Sequence, residues 1–327
     1  MSINQFKLPL SFDPVLLEQD WQTLKDHNRQ PQPGPYHKGE WTGIALCSAG
    51  GREDAAPSFP NLEGYRLTEV TKLTPYYKRI LEDLPFPLQV VRLLALPPGG
   101  VVKEHVDFFA NFQFGLIRLH IPIVTDPGVE FLIEGERCVW RVGDFWYGDF
   151  SKPHSVHNHS DVLRIHMVLD CEISPQLLEM FPSDYIEEQR QSGIVLASAE
   201  ERALVTDGAS FACSVSIPGP VVPLLIHGKL QDNLKGCVAH IRAEKGRMLV
   251  SVNGEDKFAL RRIGENRFGF VGLCNGCYLE FDLDARGAVS AVTFVIKGVQ
   301  ADLLHARMGM VKGPRVAEQR IPLGMMN

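Results

Sequence analysis

The stretch Pro97-Pro98-Gly99-Gly100-Val101-Val102-Lys103-Glu104-His105-Val106-Asp107 decides how this chain is read. A Pro/Gly turn launches a β-type run that closes on His-x-Asp. Residues two apart on a strand face the same side, so the pattern predicts a strand over 101–109 that aims His105 and Asp107 at one point. About fifty residues later comes Lys152-Pro153-His154, followed by Arg164 and Asp170. Two imidazoles and a carboxylate make the donor set of a non-haem Fe(II) centre, which leaves coordination positions open for reactants. An Arg at a short fixed distance past the distal His suits a bidentate grip on an acidic co-substrate. Iron with such an Arg points to 2-oxoglutarate and O2.

The distal imidazole has rivals in His157 and His159. Strand parity parts His154 from His157, and His154 opens a strand ahead of Arg164. That spacing predicts His154 and Arg164 on the inner face of neighbouring antiparallel strands, so His154 is taken as the third ligand. His157 and His159 read as surface or pocket-rim residues. Arg164 lies in Val162-Leu163-Arg164-Ile165-His166-Met167-Val168-Leu169, an apolar setting in which a guanidinium needs an anion. The anion is either the far carboxylate of 2-oxoglutarate or a structural partner among Asp149, Asp161 and Asp170. His166 shares the parity of Arg164 and reads as a satisfied core histidine or a group behind the site. Arg118 and His120, also two apart, are placed on one pocket wall. Arg118 or Arg92 is then available for the carboxylate of an amino-acid substrate, and Trp146 is taken as a further substrate contact.

Outward from this centre, residues 88–169 break into short runs at 90–96, 101–109, 114–123, 129–133, 138–142, 145–147, 154–157 and 162–169. Strands of this length with turns between them predict a double-stranded β-helix of the cupin or jelly-roll type, with its core at about 88–171. Upstream, a strand is expected at 6–10 and another at 41–46. Asp13-Pro14 supplies an N-cap and a first helical residue for a helix bearing Val15, Leu16, Trp21 and Leu24. Residues 71–84 have helical spacing up to Pro85, and 174–192 read as helix broken at Pro182. The polar stretch 197–207 is the candidate boundary, giving a domain at 1–196, a second all-β barrel-like domain at 205–310 and a tail at 311–327.

The second domain is expected from runs at 211–217, 221–231, 236–242, 248–252, 257–262, 267–273, 278–284 and 289–296. Asn253-Gly254, Asn275-Gly276 and Arg286-Gly287 are its hairpin signals. Cys274-Asn275-Gly276-Cys277, with Cys237 and His240, has a spacing known from zinc sites. Its central Asn-Gly reads instead as a two-residue hairpin turn that the cysteines merely flank, and strand parity parts Cys237 from His240.

A chain of 327 residues with 45% hydrophobic and 22% charged content has the material for two packed cores. A net charge of −6 without a basic stripe argues against nucleic acid. No apolar run approaches membrane length. The seven scattered cysteines read as reduced small hydrophobes rather than a disulfide framework. These features predict a cytoplasmic protein, where Fe(II) and 2-oxoglutarate are both at hand.

The combination of His105-x-Asp107, Arg118-x-His120, residues 143–154, Arg164 and Asp170 resembles the aspartyl/asparaginyl β-hydroxylase-like group of Fe(II)/2-oxoglutarate dioxygenases. Within the group it is most similar to the bacterial L-proline cis-hydroxylases, a likeness that spans about residues 1–195 and extends to Trp41-Thr42-Gly43-Ile44-Ala45-Leu46 and to residues 92–106. The resemblance implies iron on His105, Asp107 and His154, the 2-oxoglutarate carboxylate on Arg164, and contacts to co-substrate or substrate from Arg118 and His120. Members of the group that act on aspartyl or asparaginyl residues can carry Gly at the carboxylate position; keeping Asp107 favours the branch that hydroxylates small amino acids. The implied reaction puts a hydroxyl on a C–H bond of an amino acid, free or held on a carrier protein or peptide. A metal-binding cupin without turnover would have no need of Arg164. The second domain resembles small lipocalin-like barrels, a part that the proline hydroxylases lack.

Overall fold

The computed structural model describes residues 4–32, 37–38, 40–53, 60–107, 109–197, 208–217, 219, 236–296 and 304–310, the last as backbone. The predicted run at 221–231, the stretch 198–207 and the tail at 311–327 lie outside the described residues. The chain divides into two units, Met1–Pro57 with Tyr65–Ala197, and Ser58–Gly64 with Ser198–Asn327. Among the described residues no helix is long and apolar enough to cross a membrane.

The first unit begins with β1 (Gln5–Ser11) and α1 (Pro14–Leu24). Asp13 caps α1 as its position predicts, its Oδ1 accepting from the Val15 and Leu16 amides at 2.8 and 3.4 Å. Then come β2 (Gln30–Pro31), β3 (His37–Lys38), β4 (Thr42–Ala49) and β5 (Tyr65–Leu67). The helix expected over 71–84 is shorter: a 3-10 turn covers Glu69–Lys72 and α2 covers Pro75–Asp83. The residue before a proline is pushed out of the helical region, and Thr74 sits at φ −127°, ψ 76°, so Pro75 opens a new helix.

The β-helix strands follow as β6 (Leu88–Leu96), β7 (Val101–His105), β8 (Leu116–Val124), β9 (Val129–Ile133), β10 (Glu136–Arg137), β11 (Asp144–Gly148), β12 (His154–Asn158) and β13 (Arg164–Glu172). The predicted strand at 138–142 does not form: beyond the two-residue β10 that stretch is irregular, held by the Cys138 amide on the Phe131 carbonyl at 2.8 Å. Helices α3 (Pro175–Leu178) and α4 (Ser183–Ser192) close the unit on either side of Pro182.

The strands make two antiparallel sheets. The larger runs β1-β11-β8-β13-β6-β4-β2, with β5 on β4; the smaller runs β10-β9-β12-β7-β3. Strand β13 shows why the larger sheet matters. All nine of its residues are buried, so both its faces are covered. Its odd positions, Ile165, Met167, Leu169 and Cys171, lie in one apolar core with Leu93, Ile121 and Leu119, to which Leu17 of α1 and Tyr77 of α2 also belong. Its even positions are Arg164, His166, Val168 and Asp170, and register sets His120 beside Val168 and Arg118 beside Asp170. One face of the sheet is thus hydrophobic filling; the other carries buried polar groups, which only partners can stabilise there.

The second unit is a closed antiparallel barrel: β14 (Cys213–Ile217), β15 (Cys237–Glu244), β16 (Arg247–Val252), β17 (Glu255–Gly264), β18 (Arg267–Phe270), β19 (Cys277–Leu283), β20 (Val289–Ile296) and β21 (Leu304–Met310). Closure comes from β14 against β21, with Val215 opposite Met310. Interlocking rings fill it: Phe211 lies 4.9 Å from Phe268, Phe268 5.4 Å from Phe281, and Phe270 5.8 Å from Phe294. Residues 58–64 join this unit, with the Asn61 amide on the Val271 carbonyl at 2.8 Å and the Ala259 amide on the Asn61 carbonyl at 2.9 Å. Asn253 and Gly254, at φ 55° and 81°, form a tight hairpin turn. Asn275-Gly276 does not. It lies within a longer connection between β18 and β19, where the Cys277 amide bonds the Cys274 carbonyl and the buried thiols stand 3.3 Å apart.

Candidate metal centre and anion pocket

His105 is the last residue of β7, and Asp107 lies past the strand end, which corrects the expected strand over 101–109. The two side chains converge because the chain turns after His105, a turn fixed by the Asp107 amide on the Phe150 carbonyl and the Ala110 amide on the Asp107 carbonyl at 2.8 and 2.9 Å. His154 opens β12, directly opposite His105 in the β7–β12 ladder. Donor atoms of His105, Asp107 and His154 all fall within 4.8 Å of one another, the one such group of three among the described residues. Asp107 Oδ1 is 3.7 Å from His105 Nε2, and Asp107 Oδ2 is 3.8 Å from His154 Nε2.

The tautomers of both histidines suit a metal. His105 Nδ1 lies 2.8 Å from the Lys103 carbonyl and His154 Nδ1 lies 2.9 Å from the Lys152 carbonyl. A carbonyl only accepts, so both Nδ1 atoms carry the proton and both Nε2 lone pairs face Asp107. Burial lowers His154 to about 4 in spite of the adjacent Asp107, which keeps the ring neutral. For Asp107, burial pushes the carboxyl up, but Arg118 first and the two imidazoles next outweigh it and hold it below the usual range. The donors present therefore fit a divalent ion that takes imidazole and carboxylate.

Arg118 does not stand open on a pocket wall. Its Nε and Nη2 grip Asp170 at 2.7 and 3.1 Å, and its Nη1 donates to Asp107 Oδ2. Arg92 is buried rather than exposed, donating to Gln32 Oε1 at 2.8 Å and lying 3.7 Å from Asp170. Asp170 thus ties Arg92 of β6 and Arg118 of β8 to β13. The chain pattern contained part of the signal for this role, a carboxylate at an even position in step with Arg164 and His166; the register that sets it beside Arg118 comes from the ladder.

Arg164 and His154 lie on different sheets, not on neighbouring strands as expected: β12 is in the smaller sheet and β13 in the larger. Arg164 is 4% exposed, and among the described residues no carboxylate pairs with it. Asp170, one of its three candidate partners, is taken by Arg92 and Arg118. Arg164 Nη2 donates to His166 Nδ1 at 3.1 Å, its charge lies over the Phe131 ring at 5.4 Å, and its Nε–H is buried without an acceptor. Because a guanidinium only donates, His166 Nδ1 is the acceptor. His120 Nδ1, 3.2 Å from the same atom, must then donate to it. Burial, reinforced by Arg164, holds both imidazoles well below their usual value, and hence neutral.

The His120 ring stacks on Phe150 at 4.9 Å, and Phe150 meets His154 at 4.9 Å, so contacts run unbroken from Arg164 to the candidate metal donors. Phe150 carried no signal in the sequence, since a lone aromatic residue in the connection between β11 and β12 points to no particular chemistry. Trp146 is half-buried, stacks on Trp140 at 5.4 Å and keeps an indole N–H buried without an acceptor. His157 is half-buried and His159 exposed, their rings 3.5 Å apart.

A double-stranded β-helix that gathers two imidazoles and a carboxylate, with a buried guanidinium that pairs with no carboxylate of the described residues, is the architecture of an Fe(II)/2-oxoglutarate-dependent dioxygenase. The model of the aspartyl/asparaginyl β-hydroxylase family matches residues 15–173. The L-proline cis-4-hydroxylase of Rhizobium meliloti (strain 1021) is 21% identical over 201 residues, covering 61% of this chain and 69% of the relative. Among solved structures, an oxidoreductase of the 2OG-Fe(II) oxygenase family from Burkholderia pseudomallei aligns over 52% of this chain and 85% of its own, at 11% identity and a TM-score of 0.37. A prolyl-4-hydroxylase of Pseudomonas putida aligns over 52% and 93%, at 11% identity and a TM-score of 0.34. The first unit is a 2-oxoglutarate-dependent dioxygenase of the hydroxylase type, with Fe(II), 2-oxoglutarate and O2 as its cofactor and co-substrates.

Proposed function

We propose that this protein hydroxylates a free L-amino acid of the proline type, yielding hydroxylated product, succinate and CO2. The observation that carries the reading is Arg164: a buried cation with no carboxylate partner among the described residues, connected by packed rings to a complete His-Asp-His donor set. In this reading His105, Asp107 and His154 hold Fe(II), which with 2-oxoglutarate and O2 supplies an oxidant strong enough for an unactivated C–H bond. Arg164 takes the far carboxylate of 2-oxoglutarate, offering its orphaned Nε–H while His166 Nδ1 holds the guanidinium in orientation. His120 fixes that acceptor in turn.

Arg118 is assigned to orienting Asp107 rather than to binding substrate, because both edges of its guanidinium are engaged. The unsatisfied indole N–H of Trp146 is a donor for a substrate oxygen. The remaining work of the site is to place one C–H bond and keep water out.

The proline-type substrate rests on the cis-4-hydroxylase relative and on the retention of Asp107. A free amino acid is favoured over a carrier-bound one by the barrel: among its described residues Val238 is the one exposed large hydrophobic, too little for a docking patch. The test is succinate formation by anaerobically Fe(II)-loaded protein given 2-oxoglutarate, O2 and a panel of free amino acids that includes L-proline. Tight coupling to one member, lost in Asp107→Ala and Arg164→Ala, supports the proposal. Slow uncoupled succinate with every member would move the substrate to a carrier or peptide, and no succinate from iron-loaded protein would end the dioxygenase reading.

A further inference from the structure

A cavity of about 580 Å³ opens in the first unit beside the irregular segment that follows β10. Arg164 and His166 form its buried end, and Phe131 and Trp140 stand in its wall. Its outer part is made by Arg137, Val139 and Arg141, all exposed. None of His105, Asp107 and His154 belongs to its lining. The opening therefore leads to Arg164 from a side that the metal donors do not share.

Its charge is lopsided. Arg137 is held by the Pro127 and Val129 carbonyls at 2.7 and 3.4 Å, neutral acceptors that leave its charge in place. The one acid of the lining, Asp126, turns its Oδ1 to the Gly128 amide at 2.7 Å. Two exposed guanidiniums at the mouth and a third at the buried end form a cationic funnel with aromatic walls, a shape that concentrates small dianions and repels cations. An amino-acid zwitterion gains little from such a field.

We infer that 2-oxoglutarate reaches Arg164, and succinate leaves it, through this opening, so that co-substrate and amino acid use separate mouths. The inference rests on the dioxygenase reading above. A succinate released this way need not pass the amino-acid product, and a fresh 2-oxoglutarate can dock while the substrate side is occupied.

The test uses the full chain loaded with Mn(II), with 2-oxoglutarate binding followed by stopped-flow tryptophan fluorescence and by calorimetry. Val139→Trp narrows the mouth at an exposed lining residue that is not one of the candidate metal donors. A constriction raises one barrier shared by arrival and departure, so association and release should both slow by about tenfold with the dissociation constant unchanged. Arg141→Glu should slow association about 3–10-fold and flatten its dependence on ionic strength, because the steering charge is reversed. A variant that merely loosened the fold would change affinity instead. Wild-type binding with unaltered association in both variants overturns the separate route alone. Failure of the wild-type protein to bind 2-oxoglutarate by calorimetry overturns the dioxygenase reading and the route with it.

Discussion

Replacing Arg164 by Met should make the unliganded protein more stable and its 2-oxoglutarate binding far weaker. Burial brings the guanidinium well below its usual range, to about 9. At about 1.4 kcal/mol for each factor of ten, that is roughly 5 kcal/mol of desolvation left without a counter-charge. Against it stand one hydrogen bond to His166, worth about 1–2 kcal/mol, and the Phe131 ring, worth about 1–2 kcal/mol. Met is nearly as long as Arg and fills much of the same space. The substitution should therefore raise stability by about 1–3 kcal/mol, in line with what removal of uncompensated buried charge achieves elsewhere. Two charge-assisted bonds to the co-substrate disappear at the same time, each about 1.5–3 kcal/mol, so affinity should fall by about 10²–10⁴-fold. Thermal melting of the ligand-free protein and calorimetric titration of the Mn(II)-loaded protein with 2-oxoglutarate give the two readouts. A loss of stability of about 3 kcal/mol or more with an unchanged dissociation constant would mean that Arg164 serves a structural anion, and would refute the reasoning.

Three further outcomes follow from the same geometry. Asp170→Asn should destabilise the first unit by about 3–5 kcal/mol although Asp170 is not a metal donor, because Arg92 and Arg118 lose their shared carboxylate; urea unfolding measures it. Gly143→Ala should cost about 2–4 kcal/mol, since Gly143 sits at φ +79° and a Cβ there would lie 2.3 Å from the Phe12 carbonyl, a loss visible as a lowered melting temperature. Metal-free protein should lose stability as the pH falls from about 6.5 toward 4. His154, at about 4 when folded against 6.5 when unfolded, binds its proton more readily in the unfolded chain and accounts for about 3 kcal/mol of the decline. His120 and His166 act with the same sign, and a flat profile of urea midpoints across that range would contradict the neutral-histidine core.

The donor set is legible in the sequence because iron chemistry restricts residue types and the chain supplies them in one cluster. Strand parity, by contrast, is not what brings His105 and Asp107 together. Parity requires both residues to be on the strand, whereas β7 stops at His105 and a turn delivers Asp107. Alternation is most informative on β13, where the even positions mark the polar face, yet it cannot tell which acid each Arg chooses. Asp170 lies directly opposite Arg118 in the ladder, so proximity settles a choice that composition leaves open. The run at 138–142 has strand-like residues, but its pairing with β9 ends at Arg137, and it lines a cavity instead. Asn275-Gly276 has the residues of a tight hairpin, but β18 ends at Phe270, too early for a two-residue turn.

The seven residues 58–64 that join the barrel also change what a domain cut means for this chain. Polypeptide passes between the two units at three places, 57/58, 64/65 and 197/198, not at one. Severing the backbone within 198–207 would leave two fragments still fastened together, because Asn61 remains paired with Val271 and Ala259 across the break. A gene truncated after residue 197 would carry those hydrogen-bonding groups with nothing to meet them. Dissection of the protein calls for a short bridge in place of 58–64 as well as a new stop codon, and a nicked chain should run as one particle on a sizing column until denatured.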